Sequence, residues 1–163
     1  MMKSKVRRMV LEDIPAVREL DANSFSMPWP ESAFHFELTR NPDSLPLVIE
    51  AEDDVGRTKI AGMMVIWLIL DEAHIGTIAI GSDYRRQGLA KRLLKEGLLL
   101  SYEKGARASF LEVRRSNLGA RELYKQFGFT IEGIRPHYYK DNHEDALLLT
   151  LRPLVVEKIK TIT

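Results

Sequence analysis

The sequence predicts an α/β fold, a single domain with a mixed central β-sheet flanked by helices in the order β-α-α-β-β-β-α-β-α-β-β. Three observations carry this. The chain has 163 residues, which suits one hydrophobic core. Short apolar runs alternate with stretches of helical periodicity along its length. One stretch, Ala73 to Lys91, passes from an apolar strand through a polar elbow into a basic, glycine-containing turn that opens a helix.

Lys5 to Val10 reads as a first strand. Glu12-Asp13-Ile14-Pro15 then opens a helix, with acids and a proline in its first turn and Ile14, Val17 and Leu20 on one stripe. The loop Phe25-Ser26-Met27-Pro28-Trp29-Pro30 follows, and a second helix runs from Glu31 to Thr39 until Asn41-Pro42-Asp43 ends it. Leu45 to Glu50 and Lys59 to Leu70 read as strands joined by Asp53-Asp54-Val55-Gly56. Ile75, Ile78, Ala79 and Ile80 mark the next strand, which Gly81, Ser82 and Asp83 break. From about Gln87 the pattern is helical, with Leu89, Leu93, Leu94, Leu98 and Ser101 on one face and Lys104-Gly105 as the C-cap. Ala108 to Arg114 is a strand with Leu111 and Val113 on one face and Phe110, Glu112 and Arg114 on the other. Asn117 to Phe127 is a short helix closed by Gly128. Phe129 to Ile134 and Asp145 to Leu151 are the last strands, joined by the loop from Pro136 to His143. Residues 1–154 are expected to form the domain and residues 155–163 a tail.

The turn after the strand at Ile78 to Ile80 has a specific chemistry. A helix that begins just after Arg85 and Arg86, with Gly88 in its first turn, presents unpaired backbone N–H groups and a positive dipole end. Gly88 has no Cβ, so a ligand can approach the backbone. Such a strand–turn–helix suits a pyrophosphate. Its spacing matches neither the Walker A loop nor the dinucleotide-binding glycine fingerprint.

Bulk properties narrow the classes of function. Formal net charge is +1, so nothing global points to nucleic acid. There is no cysteine, hence no disulfide, no thiolate nucleophile and no thiolate zinc site, which fits a reducing, cytoplasmic setting. No paired-histidine spacing suggests a metal. The N-terminal charges Lys3, Lys5, Arg7 and Arg8 are followed by no apolar segment of signal-peptide type. The longest apolar run, Ile60 to Leu70, is 11 residues against the roughly 20 of a membrane span.

The motif Arg85-x-x-Gly88-x-Ala90 resembles the acetyl-CoA-binding motif of the GNAT superfamily of N-acetyltransferases, in which Gln/Arg-x-x-Gly-x-Gly/Ala follows the fourth strand. The block L-E-V-R-R-S-N-L-G-A-R-E-L-Y-K-Q-F-G-F, from Leu111 to Phe129, is similar to the later half of the same core. The resemblance spans roughly Lys3 to Arg152 and is strongest to the ribosomal-protein-alanine and archaeal N-terminal acetyltransferases. It implies acetyl-CoA as cosubstrate, no metal, and protein or peptide N-termini as acceptors, including nascent chains or ribosomal proteins; neither nucleic acid nor membrane is expected as a partner.

Site residues follow from the same resemblance. The backbone of Ile78, Ala79 and Ile80 would hold the acetyl-pantetheine arm, and Arg85, Arg86, Gln87, Gly88, Leu89, Ala90 and Lys91 would form the pyrophosphate turn. Asn117 reads as an N-cap, and in the family also contacts the pantetheine. Glu112, alone in an apolar strand, reads as a structural acid paired with Arg114 or Arg115, or as a general base. A carboxylate is a poor base at its ordinary pKa of about 4.3, and burial in a strand would raise it. The resemblance makes Glu112 the proton acceptor and Tyr124, otherwise a core aromatic, the general acid that protonates the leaving thiolate. His74 is a structural histidine by default and a second base by resemblance. Tyr138 and Tyr139, with Met27, Pro28 and Trp29, would form two aromatic loops around the acceptor.

A magnitude favours a chain end over a lysine. An α-amine with pKa about 7.7–8.0 is roughly a tenth neutral at pH 7, whereas a lysine amine is neutral at only about 0.04%. A small amine or an internal lysine as acceptor, and a non-catalytic acetyl-CoA-binding module, stay open as alternatives.

Overall fold

The computed structural model describes residues 3–163. Seven strands, β1 (Ser4–Arg8), β2 (Ser44–Glu52), β3 (Thr58–Ile69), β4 (Glu72–Ile80), β5 (Ala108–Arg114), β6 (Thr130–Arg135) and β7 (Ala146–Leu151), form one mixed sheet. The spatial order is β1-β2-β3-β4-β5-β7-β6. The helices are α1 (Ile14–Ser24), α2 (Glu31–Thr39), α3 (Leu89–Glu103), α4 (Leu118–Gln126) and α5 (Val156–Lys160). The α/β class and element order expected from the sequence are therefore present. The chain divides into two compact units, Met1–Trp67 with Gly76–Gly97, and Leu68–Ile75 with Leu98–Thr163.

In the first unit, β1 and β2 pair antiparallel from Ser4↔Ala51 to Arg8↔Leu47, and β2 pairs with β3 across a bulge at Ile49/Glu50. Strand β1 stops before the expected Val10 because Asp13 recaptures the chain. Its carboxylate accepts from Val10 N at 2.8 Å and takes both guanidinium ends of Arg7 at 2.7 and 2.9 Å. That ion pair holds the Asp13 carboxyl below the usual range. A 3-10 turn, Leu11–Asp13, then leads into α1. The apolar stripe of α1 behaves as read: Ile14, Val17 and Leu20 are buried with Phe34, Val48, Met63 and Ala79 in one cluster. Each such side chain contributes about 1.5–3 kcal/mol by leaving water. Gly62 of β3 lets β4 come close, since a Cβ there would lie 2.9 Å from the Ala79 carbonyl.

In the second unit, β4 and β5 pair parallel from Glu72↔Ala108 to Ile75↔Leu111. Strand β5 pairs antiparallel with β7, and β7 with β6. The expected alternation holds: Leu111 and Val113 are buried, while Glu112 on the other face is exposed. Helix α3 ends as read, with Gly105 at φ +107 and Ala106 N donating to Ser101 O at 3.0 Å. The five stripe residues Leu89, Leu93, Leu94, Leu98 and Ser101 are all buried. The segment expected as a tail carries α5, whose Ile159 is 2% exposed.

Candidate active site

The first unit carries the turn with anion-binding chemistry. Strand β4 ends at Ile80, where Gly81 N donates to Ala61 O at 2.7 Å and Ser82–Tyr84 forms a 3-10 turn. Helix α3 begins at Leu89, two residues later than expected, because Arg86 (φ +62) and Gly88 (φ +78) both lie in the left-handed region. Gly88 thus precedes the helix rather than sitting in its first turn, and its carbonyl accepts from Arg92 N at 3.0 Å. A Cβ at Gly88 would meet no atom within 4 Å, so its backbone faces open space. Arg86 and Gln87 are exposed, and Ala90 and Lys91 are half-buried. Arg85 folds back, its Nε donating to Ile80 O at 3.1 Å, which ties the turn to the end of the strand. On β4, Ile78 is half-buried and Ala79 and Ile80 are buried. These residues fit a pyrophosphate with an attached apolar arm.

The loop ahead of α2 lies in the same unit. Trp29 stacks on Trp67 at 5.9 Å and 4° and packs on Phe34, whereas Met27 and Pro28 are exposed. Trp29 N donates to Asp21 Oδ2 at 2.7 Å. Asp21 is 1% exposed, and burial raises its carboxyl. Asp21 stands on the apolar side of α1 with Ile14, Val17 and Leu20, and an acid in that stripe is the signal the sequence carries for it. Trp67 in turn donates to Glu37 Oε1 at 2.9 Å, and Gly76 faces the flat of its ring.

The second unit gathers most of the residues expected to do chemistry. The burial expected at Glu112 is not there, because its strand face is open. Its side chain is 33% accessible and lies 3.6 Å from Arg135, not beside Arg114 or Arg115. The nearby Glu112 carboxylate raises the Tyr138 phenol. Tyr138 meets Tyr139 edge to face at 5.2 Å. Arg114 lies over the Tyr139 ring at 3.9 Å, and Arg135 over Tyr138 at 5.7 Å. Tyr124 is 5% exposed and meets Phe129 edge to face at 5.7 Å. Burial, with a smaller contribution from the Tyr139 phenol, pushes the Tyr124 phenol well above its ordinary value. Glu112, Tyr124, Tyr138 and Tyr139 therefore form one electrostatic cluster.

Arg135 was missed in the sequence, and a bulge explains why. Ile131 faces Leu149, which shares a face with Leu111. Plain alternation would keep residues 133 and 135 on that face. The irregularity between Ile131 and Gly133 shifts the register, so Gly133 pairs with Leu148 and Arg135 with Ala146. Those partners sit opposite Glu112 and Arg114 on the other side of β7.

His74 belongs to a neighbouring group. Its Nε2 is 2.9 Å from Glu72 Oε1 and its ring stacks on Phe110 at 5.1 Å, with Arg152 over the same Phe110 ring. Asn117 caps α4 as read, its Oδ1 accepting from Ala120 N at 3.2 Å. Among the described residues, no group of three metal-ligating side chains stands together and no helix is long and apolar enough to cross a membrane.

Known proteins resemble this chain over most of its length. A Bacillus subtilis protein, named as a proposed ribosomal protein bS18-alanine N-acetyltransferase, is 46% identical over 147 residues, covering 90% of this chain and 94% of that protein. The Escherichia coli K12 ribosomal protein bS18-alanine N-acetyltransferase is 32% identical over 150 residues, covering 85% and 90%. The crystal structure of the ribosomal-protein-S18-alanine N-acetyltransferase from Escherichia coli superposes with TM-score 0.82 at 29% identity, covering 94% of this chain and 96% of that one. The glycine turn and the β5–α4 block both fall within residues 14–129, the span matched by the acetyltransferase (GNAT) family, and the chain is an acetyltransferase belonging to that family.

Proposed function

We propose that the protein transfers the acetyl group of acetyl-CoA to the N-terminal α-amine of proteins, by direct attack in a ternary complex. The observation that carries this reading is the grouping of Glu112 with the Tyr138–Tyr139 pair through Arg135, which lies 3.6 Å from Glu112 and over the Tyr138 ring. It joins the one acid on the open face of β5 to a loop of paired aromatics, an arrangement suited to a thin, extended chain end. Relatives at 46% and 32% identity named for alanine N-acetylation of a ribosomal protein support the same acceptor class.

In this reading the backbone of Ile78, Ala79 and Ile80 holds the pantetheine arm as an added strand, and one of those N–H groups polarises the thioester carbonyl. The backbone from Arg86 to Lys91 takes the pyrophosphate. Asn117, at the start of α4, contacts the arm. The neutral amine attacks the carbonyl carbon, the C–N bond forms and the C–S bond breaks. Glu112 receives the amine proton, and Tyr124 donates its own to the departing sulfur. Acceptor contacts are assigned to Tyr138 and Tyr139 and, separately, to Met27, Pro28 and Trp29. His74, whose Nε2 meets Glu72, serves as an auxiliary base. Acceptors are ribosomal proteins or nascent chains, and the setting is the cytoplasm.

Mass spectrometry of a peptide panel tests this. Peptides beginning Ala, Ser, Thr, Met-Leu and Met-Glu are incubated with the protein and acetyl-CoA, each beside an N-terminally blocked, lysine-containing twin. One acetyl group gained on the free peptides alone is the expected result. Modification of the blocked twins would make it a lysine acetyltransferase and overturn the reading.

The turn makes a separate prediction. Gly88→Ala is expected to fold, since a Cβ there meets nothing within 4 Å. It is strained by φ +78, at a cost of about 1–2 kcal/mol. The added methyl blocks close approach, so the KM for acetyl-CoA should rise about tenfold or more, with the peptide KM unchanged. An unchanged acetyl-CoA KM would mean the pyrophosphate binds elsewhere.

A further inference from the structure

Arg114 lies two residues beyond Glu112 on the same face of β5, and both terminal nitrogens of its guanidinium are engaged. Nη2 donates to Asp141 Oδ2 at 2.8 Å, and Nη1 to Asn142 Oδ1 at 3.1 Å and Glu144 Oε1 at 3.4 Å. The flat of the group covers the Tyr139 ring at 3.9 Å. The side chains of Arg114, Asp141 and Glu144 are only 26%, 27% and 15% accessible, so these contacts are partly shielded from water. Glu144 also accepts from Ser116 N at 2.6 Å, which ties the loop back to the end of β5.

The loop between β6 and β7 holds strained backbone. His137 (φ +53) and His143 (φ +57) both hold the left-handed conformation, at a cost of roughly 1–2 kcal/mol each. It carries no regular element between β6 and β7, and its internal bonds include Tyr139 N to Glu144 O at 3.2 Å, His143 N to Tyr139 O at 2.8 Å and His137 N to Asp145 Oδ1 at 3.0 Å. Those bonds shape the loop, and Arg114 of β5 adds the contact that lies on the Tyr139 ring itself. Two carboxylates and an amide surround one guanidinium, so Arg114 has no charge left over to bind an acceptor directly.

We infer that Arg114 is a positioning residue for the acceptor substrate: it clamps the loop 136–145 so that Tyr138 and Tyr139 stand beside Glu112. The inference rests on the N-terminal acetylation reading above. A lysine cannot reproduce it, because one ammonium lacks both the planar fork and the stacking face.

Steady-state kinetics of wild type, Arg114→Lys and Arg114→Gln test it, with peptide and acetyl-CoA varied separately. Hydrogen exchange of residues 136–145 is followed in the same proteins. Arg114→Gln should raise the peptide KM about tenfold or more, leave the acetyl-CoA KM within about twofold, lower kcat less than about threefold, and speed exchange in the loop. Arg114→Lys should fall between the two. Should Arg114→Gln fail to fold, Asp141→Asn removes the clamp from the loop side, with about a threefold rise in peptide KM expected. Faster exchange with an unchanged peptide KM would overturn the inference, as would an equal rise in both KM values. The two readings fail differently. A wild-type protein that acetylates no free peptide sinks the proposed function and this inference with it. An active wild type beside an Arg114→Gln variant with normal peptide KM sinks this inference alone.

Discussion

Replacing Glu112 by glutamine lowers kcat by about 100-fold or more while leaving the acetyl-CoA KM near its wild-type value. Glutamine keeps the shape of the side chain, so the packing around it is disturbed little. It loses the negative charge that faces Arg135 at 3.6 Å and the ability to take a proton. Because the carboxylate is one-third accessible, little folding energy depends on it, and the variant should melt close to wild type. Release of free coenzyme A thiol at saturating peptide reads kcat directly. His74→Gln is the control, and a loss smaller than about threefold is expected, since Glu112 takes the proton in the proposed reaction. Unchanged turnover in Glu112→Gln would move the proton to His74 or to solvent.

In the proposed reaction an open carboxylate suffices. The sequence led to an expectation of a buried glutamate with enhanced basicity, and the structure has it on the solvent-facing side of β5. An α-amine is already about a tenth neutral at pH 7, so the base has only to accept the proton released after attack. A lysine amine would need a far stronger base for the same rate. The exposure of Glu112 therefore strengthens the N-terminal reading, although it contradicts the route by which Glu112 was first singled out.

Local signals made much of the fold legible. Helix α2 runs from Glu31 to Thr39 as read, because Pro30 and an acid open it and Asn41-Pro42 cannot continue it. Strand β5 runs from Ala108 to Arg114 as read, because its alternation is unbroken. The start of α3 was misjudged because left-handed φ at Arg86 is invisible in a pattern of apolar residues. Site legibility divides along the same line. Glu112, Tyr124 and the glycine turn sit in contiguous motifs. Arg135 reaches Glu112 only through a bulge in β6 and two ladders of strand pairing, and Asp21 reaches Trp29 only through a turn of loop. Contacts that depend on register or loop path leave no periodic trace in a sequence.

Tyr124→Phe should lower kcat by about 100-fold or more with little change in either KM or in melting temperature. The ring is 5% exposed and packs edge to face on Phe129, contacts that phenylalanine keeps. Only the hydroxyl is lost, a change worth about 1 kcal/mol in stability. Burial raises the Tyr124 phenol, so the hydroxyl is fully protonated across the neutral range. This makes it available as a donor, but a weaker acid than a free phenol. A thiolate near its ordinary pKa of about 8.5 would not take that proton readily. Transfer becomes favourable when the sulfur leaves into the same low-dielectric surroundings, where its negative charge is penalised as heavily as the phenolate's. The proton and the bond electrons must then reach sulfur together, which is what a positioned acid achieves. The sign of the pH dependence follows. A donor whose pKa is raised loses its proton only at high pH, so kcat should show no alkaline decline below about pH 10. An acyl donor whose thiol is a much better leaving group needs no protonation. With such a donor the gap between wild type and Tyr124→Phe should shrink to within about threefold. A variant equally slow with both donors would show that Tyr124 shapes the site without supplying the proton.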